Sequence, residues 1–213
     1  MDYIIGCTQT TYYRISDNIV GSKNNRRRKY SMNINEKIFN FAYIMAFRDA
    51  TMRNAYARHE AEDDYHYHKR KQMVMDQAKE PVYKYIKGIF EGKYPNPIET
   101  ITDICKEQYN FTFGNAQKLV NMTAKYLYIS TFMDNEKRQL FKNCDCPMDS
   151  VMLSVVKAKN PKVSWKSDFS WSRMNNDKGK IPKVYEEFKN EVASIADKEG
   201  LLPIEVDFKY WDE

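Results

Sequence analysis

No stretch of this sequence reaches the roughly 18 uninterrupted apolar residues of a membrane-spanning helix. Its opening, Met1-Asp2-Tyr3-Ile4-Ile5-Gly6, also lacks the basic patch followed by an apolar run that marks an exported chain. A membrane partner and secretion are therefore not expected, and a cytoplasmic protein is. Cysteine is scarce: Cys7, Cys105, Cys144 and Cys146 are the whole set. Cys144 and Cys146 are too close in sequence for an ordinary disulfide, and no paired CxxC motif completes a zinc set, so reduced thiols and no metal are expected. Charge of one sign is lacking as well. The 34 basic and 29 acidic side chains leave a net charge of +5, which permits nucleic-acid binding without demanding it. What is present is core material. The chain is 42% apolar and 14% aromatic, while 30% charge and a mean hydropathy of -0.74 keep the surface polar.

Residues 1–34 combine a polar β-type stretch with the basic run Lys23, Arg26, Arg27, Arg28 and Lys29, and read as an irregular basic arm. The run is either a solvated loop or a contact to a phosphate backbone. From residue 35 the pattern becomes helical and all-α. Ile38, Phe41, Ala42, Ile44, Met45 and Ala46 recur at spacings of three and four, and no Gly or Pro interrupts a helix to about Arg58. In residues 59–78, His66 and His68 stand two apart and cannot share a helix face, which favours a solvated helix over a metal site. Pro81 fits the first turn of a further helix through Phe90. Helices are expected over residues 98–108, 116–133, 150–158 and 182–197, the second capped by Asn115 and the last closed by Gly200. Residues 159–180, with Trp165, Trp171 and Gly179, read as a loop insertion in a single helical domain of residues 35–213. Trp165 and Trp171 either anchor that loop or touch nucleic acid.

On the helix after Asn115, positions 118, 121, 122 and 125 fall on one stripe, because spacings of three, four and seven return to nearly the same angle. The stripe reads Lys118, Asn121, Met122, Lys125, opposite Leu119, Val120 and Leu127. Two such lysines either snorkel at the rim or are drawn inward for a purpose. Pro147-Met148-Asp149 follows, with Asp149 at the start of a helix. There it either caps the helix or offers a carboxylate to a site.

The segment Gly114-Asn115-Ala116-Gln117-Lys118, a second lysine at 125, and Pro147-Met148-Asp149-Ser150-Val151 together resemble the helix-hairpin-helix DNA glycosylases, most closely the archaeal 8-oxoguanine glycosylase branch. Asp207 and Trp211, four residues apart, are similar to the Asp and Trp with which that branch recognises and stacks on an extruded base. They read otherwise as an exposed acid and a core-sealing indole. The resemblance covers about Gly114 to Ser150 and the last dozen residues. It implies a glycosylase-like helical fold with a cleft between two helical lobes, and DNA carrying a flipped modified base as partner. Lys118 is the implied nucleophile, with Lys125 in reserve and Asp149 as its carboxylate. Gln117, Asp207 and Trp211 would bind the base, while Gly114, Asn115 and Arg26, Arg27 and Arg28 would hold the DNA. No metal or cofactor is needed. The second aromatic of a base sandwich is unassigned, with Phe41 and Phe47 as candidates. Two departures stand out: the hairpin has only Gly114 where the family carries two close glycines, and residues 159–180 have no counterpart. The competing expectation is a catalytically silent module of the same fold that binds a free nucleobase, a nucleotide or a partner, in phage defence or counter-defence.

Overall fold

The computed structural model describes residues 34–52, 55–130, 135–176 and 180–210. Arg26, Arg27 and Arg28 and Trp211 lie outside the described residues. The described structure is helical, in keeping with an all-α chain, and none of its helices is long and apolar enough to cross a membrane.

Helix α1 (Ile34–Ala50) buries Phe39, Ala42, Tyr43, Ala46, Phe47 and Ala50, the three-and-four spacing of a core-facing stripe. It stops at Ala50, short of the expected Arg58. The Ala50 carbonyl, which a longer helix would need, instead accepts a 2.7 Å hydrogen bond from the Asn115 side chain. Helix α2 (Asp64–Phe90) begins at Asp63, whose carboxylate accepts the His66 backbone N–H. It is one helix where two were expected, and Pro81 lies inside it rather than in a first turn. An interior proline costs about 3 kcal/mol. The buried stripe of Val74, Ala78, Val82, Tyr85 and Ile89 runs straight through it, and at about 1.5–3 kcal/mol per large apolar side chain its burial outweighs the loss.

Helix α3 (Pro97–Tyr109) is capped by Asn96 and ends at Asn110, whose φ of 54° is the left-handed conformation that reverses the chain. Asn tolerates that region better than most non-glycine residues, so the chain reverses here without a glycine. Three residues later comes α4 (Phe113–Ser130), which starts earlier than expected. Thr112, not Asn115, is its cap: the Thr112 hydroxyl accepts the Asn115 N–H, and the Asn115 side chain accepts the Thr112 N–H in return.

Helix α4 is the axis of the unit formed by Ile34–Glu213. It packs chiefly on α1 and α3 and against a single 3₁₀ turn, Trp171–Arg173. From Phe113 to Lys125 every residue is buried. A helix so enclosed must satisfy its polar groups internally, since an unpaired buried group costs about 1–3 kcal/mol. The Thr123 hydroxyl donates to the Leu119 carbonyl, and the Asn115 amide reaches the carbonyls of Ala50 and Ala55. The 3₁₀ turn presses so closely that a Cβ on Gly114 would stand 1.8 Å from the Trp171 carbonyl oxygen. Trp165 anchors the same loop, buried against Phe188.

After α5 (Asn135–Gln139), helix α6 (Ser150–Lys159) begins at Asp149, as expected. Helix α7 (Lys183–Glu199) ends at Gly200 with φ 66°, and α8 (Pro203–Lys209) is the last helix among the described residues.

Candidate active site

The stripe of Lys118, Asn121, Met122 and Lys125 faces inward, not toward a rim. Lys118 Nζ lies 2.6 Å from Asp149 Oδ2, and one turn pair further along α4 the Lys125 ammonium is ion-paired with Asp207 of α8. Side-chain exposure is 11% for both members of the first pair, but 6% and 1% for the second, so the Lys118 pair is the less deeply buried of the two.

Both ammonium groups also face an aromatic ring. Lys118 Nζ is 5.1 Å from the Trp171 ring centre, and Lys125 Nζ is 4.8 Å from that of Phe208. The four charges feel one another. Burial holds the Asp207 carboxyl above the usual aspartate value; Lys125 and, more weakly, Lys118 pull it down, while Asp149 pushes it up. Two ammonium and two carboxylate groups therefore form one charge-balanced cluster built from α4, the start of α6 and α8.

Asp149 uses both oxygens. Oδ1 accepts the Met152 N–H at 3.0 Å and so caps α6, while Oδ2 receives Lys118. One side chain thus both caps α6 and pairs with an amine. Asp207 is used on one side only: Oδ2 meets Lys125, and among the described residues Oδ1 has no hydrogen-bond partner.

The chain matches no family model, no curated protein and no solved structure.

Of the residues singled out in the sequence, Lys118, Lys125, Asp149 and Asp207 are brought together. Gln117 is adjacent but turned to the backbone: its amide donates to the Met148 carbonyl at 2.8 Å and accepts the Met148 N–H at 3.1 Å. Gly114 and Asn115 lie at the far end of α4, buried in internal contacts, with the Gly114 N–H donated to the Met174 carbonyl. Phe41 is 65% exposed on α1, and Phe47 stacks on Phe111 in the core; the rings that meet the lysines are Trp171 and Phe208. Phe208 was not foreseen, although it directly follows Asp207. Tyr185, which joins the site from α7 through Asn121, had no signal in the sequence beyond its place in an apolar stripe.

Two hollows border this region. An apolar groove of about 600 Å³, lined by Tyr128, Ile129, Leu201 and Phe208 among others, shares the Phe208 ring. A cavity of about 660 Å³ with a mixed polar and apolar wall, including Arg58, Tyr67, Thr112 and Arg173, opens at the other end of α4.

Proposed function

We propose that this chain is a DNA glycosylase with AP-lyase activity, excising a damaged or modified purine of the 8-oxoguanine kind. The observation that carries the reading is the 2.6 Å contact between Lys118 Nζ and Asp149 Oδ2 at the more exposed edge of the charged cluster. Buried ion pairs are a poor means of gaining stability, since apolar residues of equal volume often do as well or better. Two adjacent pairs are better accounted for by chemistry, and clustered charges of this kind mark functional sites.

The mechanism follows from the atoms. Lys118 must lose a proton to become a nucleophile, and Asp149 Oδ2 is in contact to accept it. The neutral amine forms a bond to the sugar C1′ as the C1′–N bond to the base breaks. The departing base takes that electron pair and the proton held on Asp149, which becomes a carboxylate again. Positive charge that develops on the sugar is met by the Asp149 carboxylate. The amine-bound sugar then opens to a Schiff base, from which elimination of the 3′ phosphate cleaves the strand. Deeper in, Asp207 Oδ1 is an acceptor awaiting a donor, which is what recognition of a base N–H requires. The helix, short reversal and helix formed by α3, Asn110–Thr112 and α4 accord with the same reading.

Borohydride is expected to trap a covalent adduct between the protein and duplex DNA containing 8-oxoguanine. Lys118→Gln should abolish the adduct and Lys125→Gln should retain it; adducts that survive in Lys118→Gln would remove Lys118 from the role.

One observation favours a second reading, a module that binds a free modified base or nucleotide without cleaving a bond. Gly114 and Asn115, which the resemblance would give to the DNA backbone, are spent on internal hydrogen bonds. Under that reading free bases raise the melting temperature while lesion-containing duplexes are neither bound nor cut.

A further inference from the structure

Behind Asp149 runs a line of buried amide and hydroxyl groups that the mechanism above does not use. Gln117 grips the main chain of Met148, the residue before Asp149, at both its N–H and its carbonyl. Asn121, one turn along α4, donates to Gln117 Oε1 at 3.3 Å, and to the hydroxyl of Tyr185 at 3.0 Å. Tyr185 in turn donates to Asp145 Oδ2 at 3.3 Å, and Asp145 is paired with Lys189. The direction of every bond is fixed. The Met148 N–H can only donate and its carbonyl only accept, which orients Gln117 Oε1 and Nε2, and the Asn121 atom facing Oε1 must then be the amide nitrogen. The network therefore has one arrangement, anchored in α7 and ending on the peptide that carries Asp149.

We propose that Gln117, Asn121 and Tyr185 are positioning residues that set where the Asp149 carboxylate meets the Lys118 ammonium. This gives Gln117 a task other than reading the base. The argument is geometric. Lys118 is fixed by α4, but Asp149 stands at the end of a non-helical stretch, residues 140–149, whose path is decided by what it touches. Gln117 sits one residue before Lys118 on the same helix and holds the residue one before Asp149. It thereby ties both partners of the ion pair to one rigid element. An amide gripping a peptide at both ends tolerates little sliding, and a displacement of about 1 Å at a reacting pair can cost on the order of 100-fold in rate.

The catalytic consequence rests on the glycosylase reading, so the test has two arms. In the first, single-turnover cleavage of a duplex carrying 8-oxoguanine is measured with the full chain as wild type, Gln117→Met, Gln117→Glu and Tyr185→Phe. Gln117→Met should lower the maximal rate roughly 10–100-fold with half-saturation little changed. Tyr185→Phe, which keeps the ring against Phe113, should show a smaller loss of the same kind. Gln117→Glu carries its own control. When ionised it has no proton for the Met148 carbonyl, and when protonated it can again donate there and accept from the N–H. Its rate relative to wild type should therefore climb as pH is lowered, which a merely destabilised variant would not do. Rates for Gln117→Met equal to wild type, or a Gln117→Glu profile parallel to wild type, would overturn the proposal.

In the second arm, amide hydrogen exchange at Met148 and Met152 is followed by NMR without DNA. Faster exchange at both in Gln117→Met supports the tether, and unchanged exchange sinks it. Should wild type fail to cleave any lesion duplex, the glycosylase reading falls and this arm still decides whether the network holds Asp149. If Gln117→Met does not fold, the same comparisons in Tyr185→Phe and in Gln117→Glu across pH decide it.

Discussion

Removing the ammonium of Lys125 leaves the Asp207 carboxylate enclosed in the core with both oxygens short of their partners, whereas removing both groups leaves only space to fill. Lys125→Met alone is therefore expected to cost about 3–5 kcal/mol, and the double change Lys125→Met with Asp207→Leu to return to within about 1 kcal/mol of wild type. Urea unfolding of wild type and the two variants measures this directly; a double variant as weak as the single one would show that the pair itself stabilises the fold. Single residues also show how far the sequence could be read. The stripe of Lys118 and Lys125 was legible because helical spacing alone places them together. Their meeting with Asp149 and Asp207 was not, since the partners stand 31 and 82 positions apart in sequence and only the likeness to a known arrangement linked them. Trp171 read as a loop anchor more readily than as a nucleic-acid contact, and the structure sets its ring against Lys118.

Between elements, the tightest joint outside the site is made by Arg70 of α2. Its guanidinium donates to both oxygens of Glu62, to the Tyr56 hydroxyl, and to the carbonyls of Ala57 and Tyr109. The joint ties α2 to the loop after α1 and to the end of α3. The hydrogen bonds from Arg70 hold the Glu62 carboxyl down from 4.5 to about 2. A carboxyl with a depressed folded-state pKa contributes its stability fully above its ordinary value of 4.5, and that contribution fades as pH falls toward about 2. Glu62→Gln should accordingly be weaker than wild type near neutrality, with the gap closing across that acid window. Denaturation at several pH values would show parallel curves if Glu62 carried none of the dependence. At this scale the sequence was partly legible. Caps and terminators such as Asp149 and Gly200 marked real ends, because the chemistry that closes a helix is local. The end of α1 and the continuity of α2 through Pro81 were not, because each is decided by contacts from distant segments: Asn115 taking the Ala50 carbonyl, and an apolar stripe that the core retains across the proline.

For the molecule as a whole, the buried thiols report on the integrity of the core. Burial pushes Cys105 up to about 11 and Cys144 up to about 12, and Cys146 is raised by the same cause. Near pH 8, a group at about 11 is ionised in about one molecule in a thousand, and the thiolate is the reactive form. All three should resist a disulfide reagent in the native protein and become labelled together, at the rate of global unfolding followed by tryptophan fluorescence. Rapid labelling of any of the three without unfolding would reveal a local opening in the core. The all-α class was legible from periodicity because enclosure of apolar stripes is what the chain as a whole must achieve. The charged cluster at its centre was not, because composition alone gives no sign that one helix will be enclosed on every side.

Asp149 is a hinge pin shared by two machines. One oxygen closes the mouth of α6 and the other grips an amine, so whatever draws that amine away also loosens the hold on the first turn of the helix beyond it. Under the proposed lyase chemistry, a lysine occupied with a sugar and a lysine at rest would leave α6 under different tension, and the state of the reaction would be written in the fraying of a neighbouring helix.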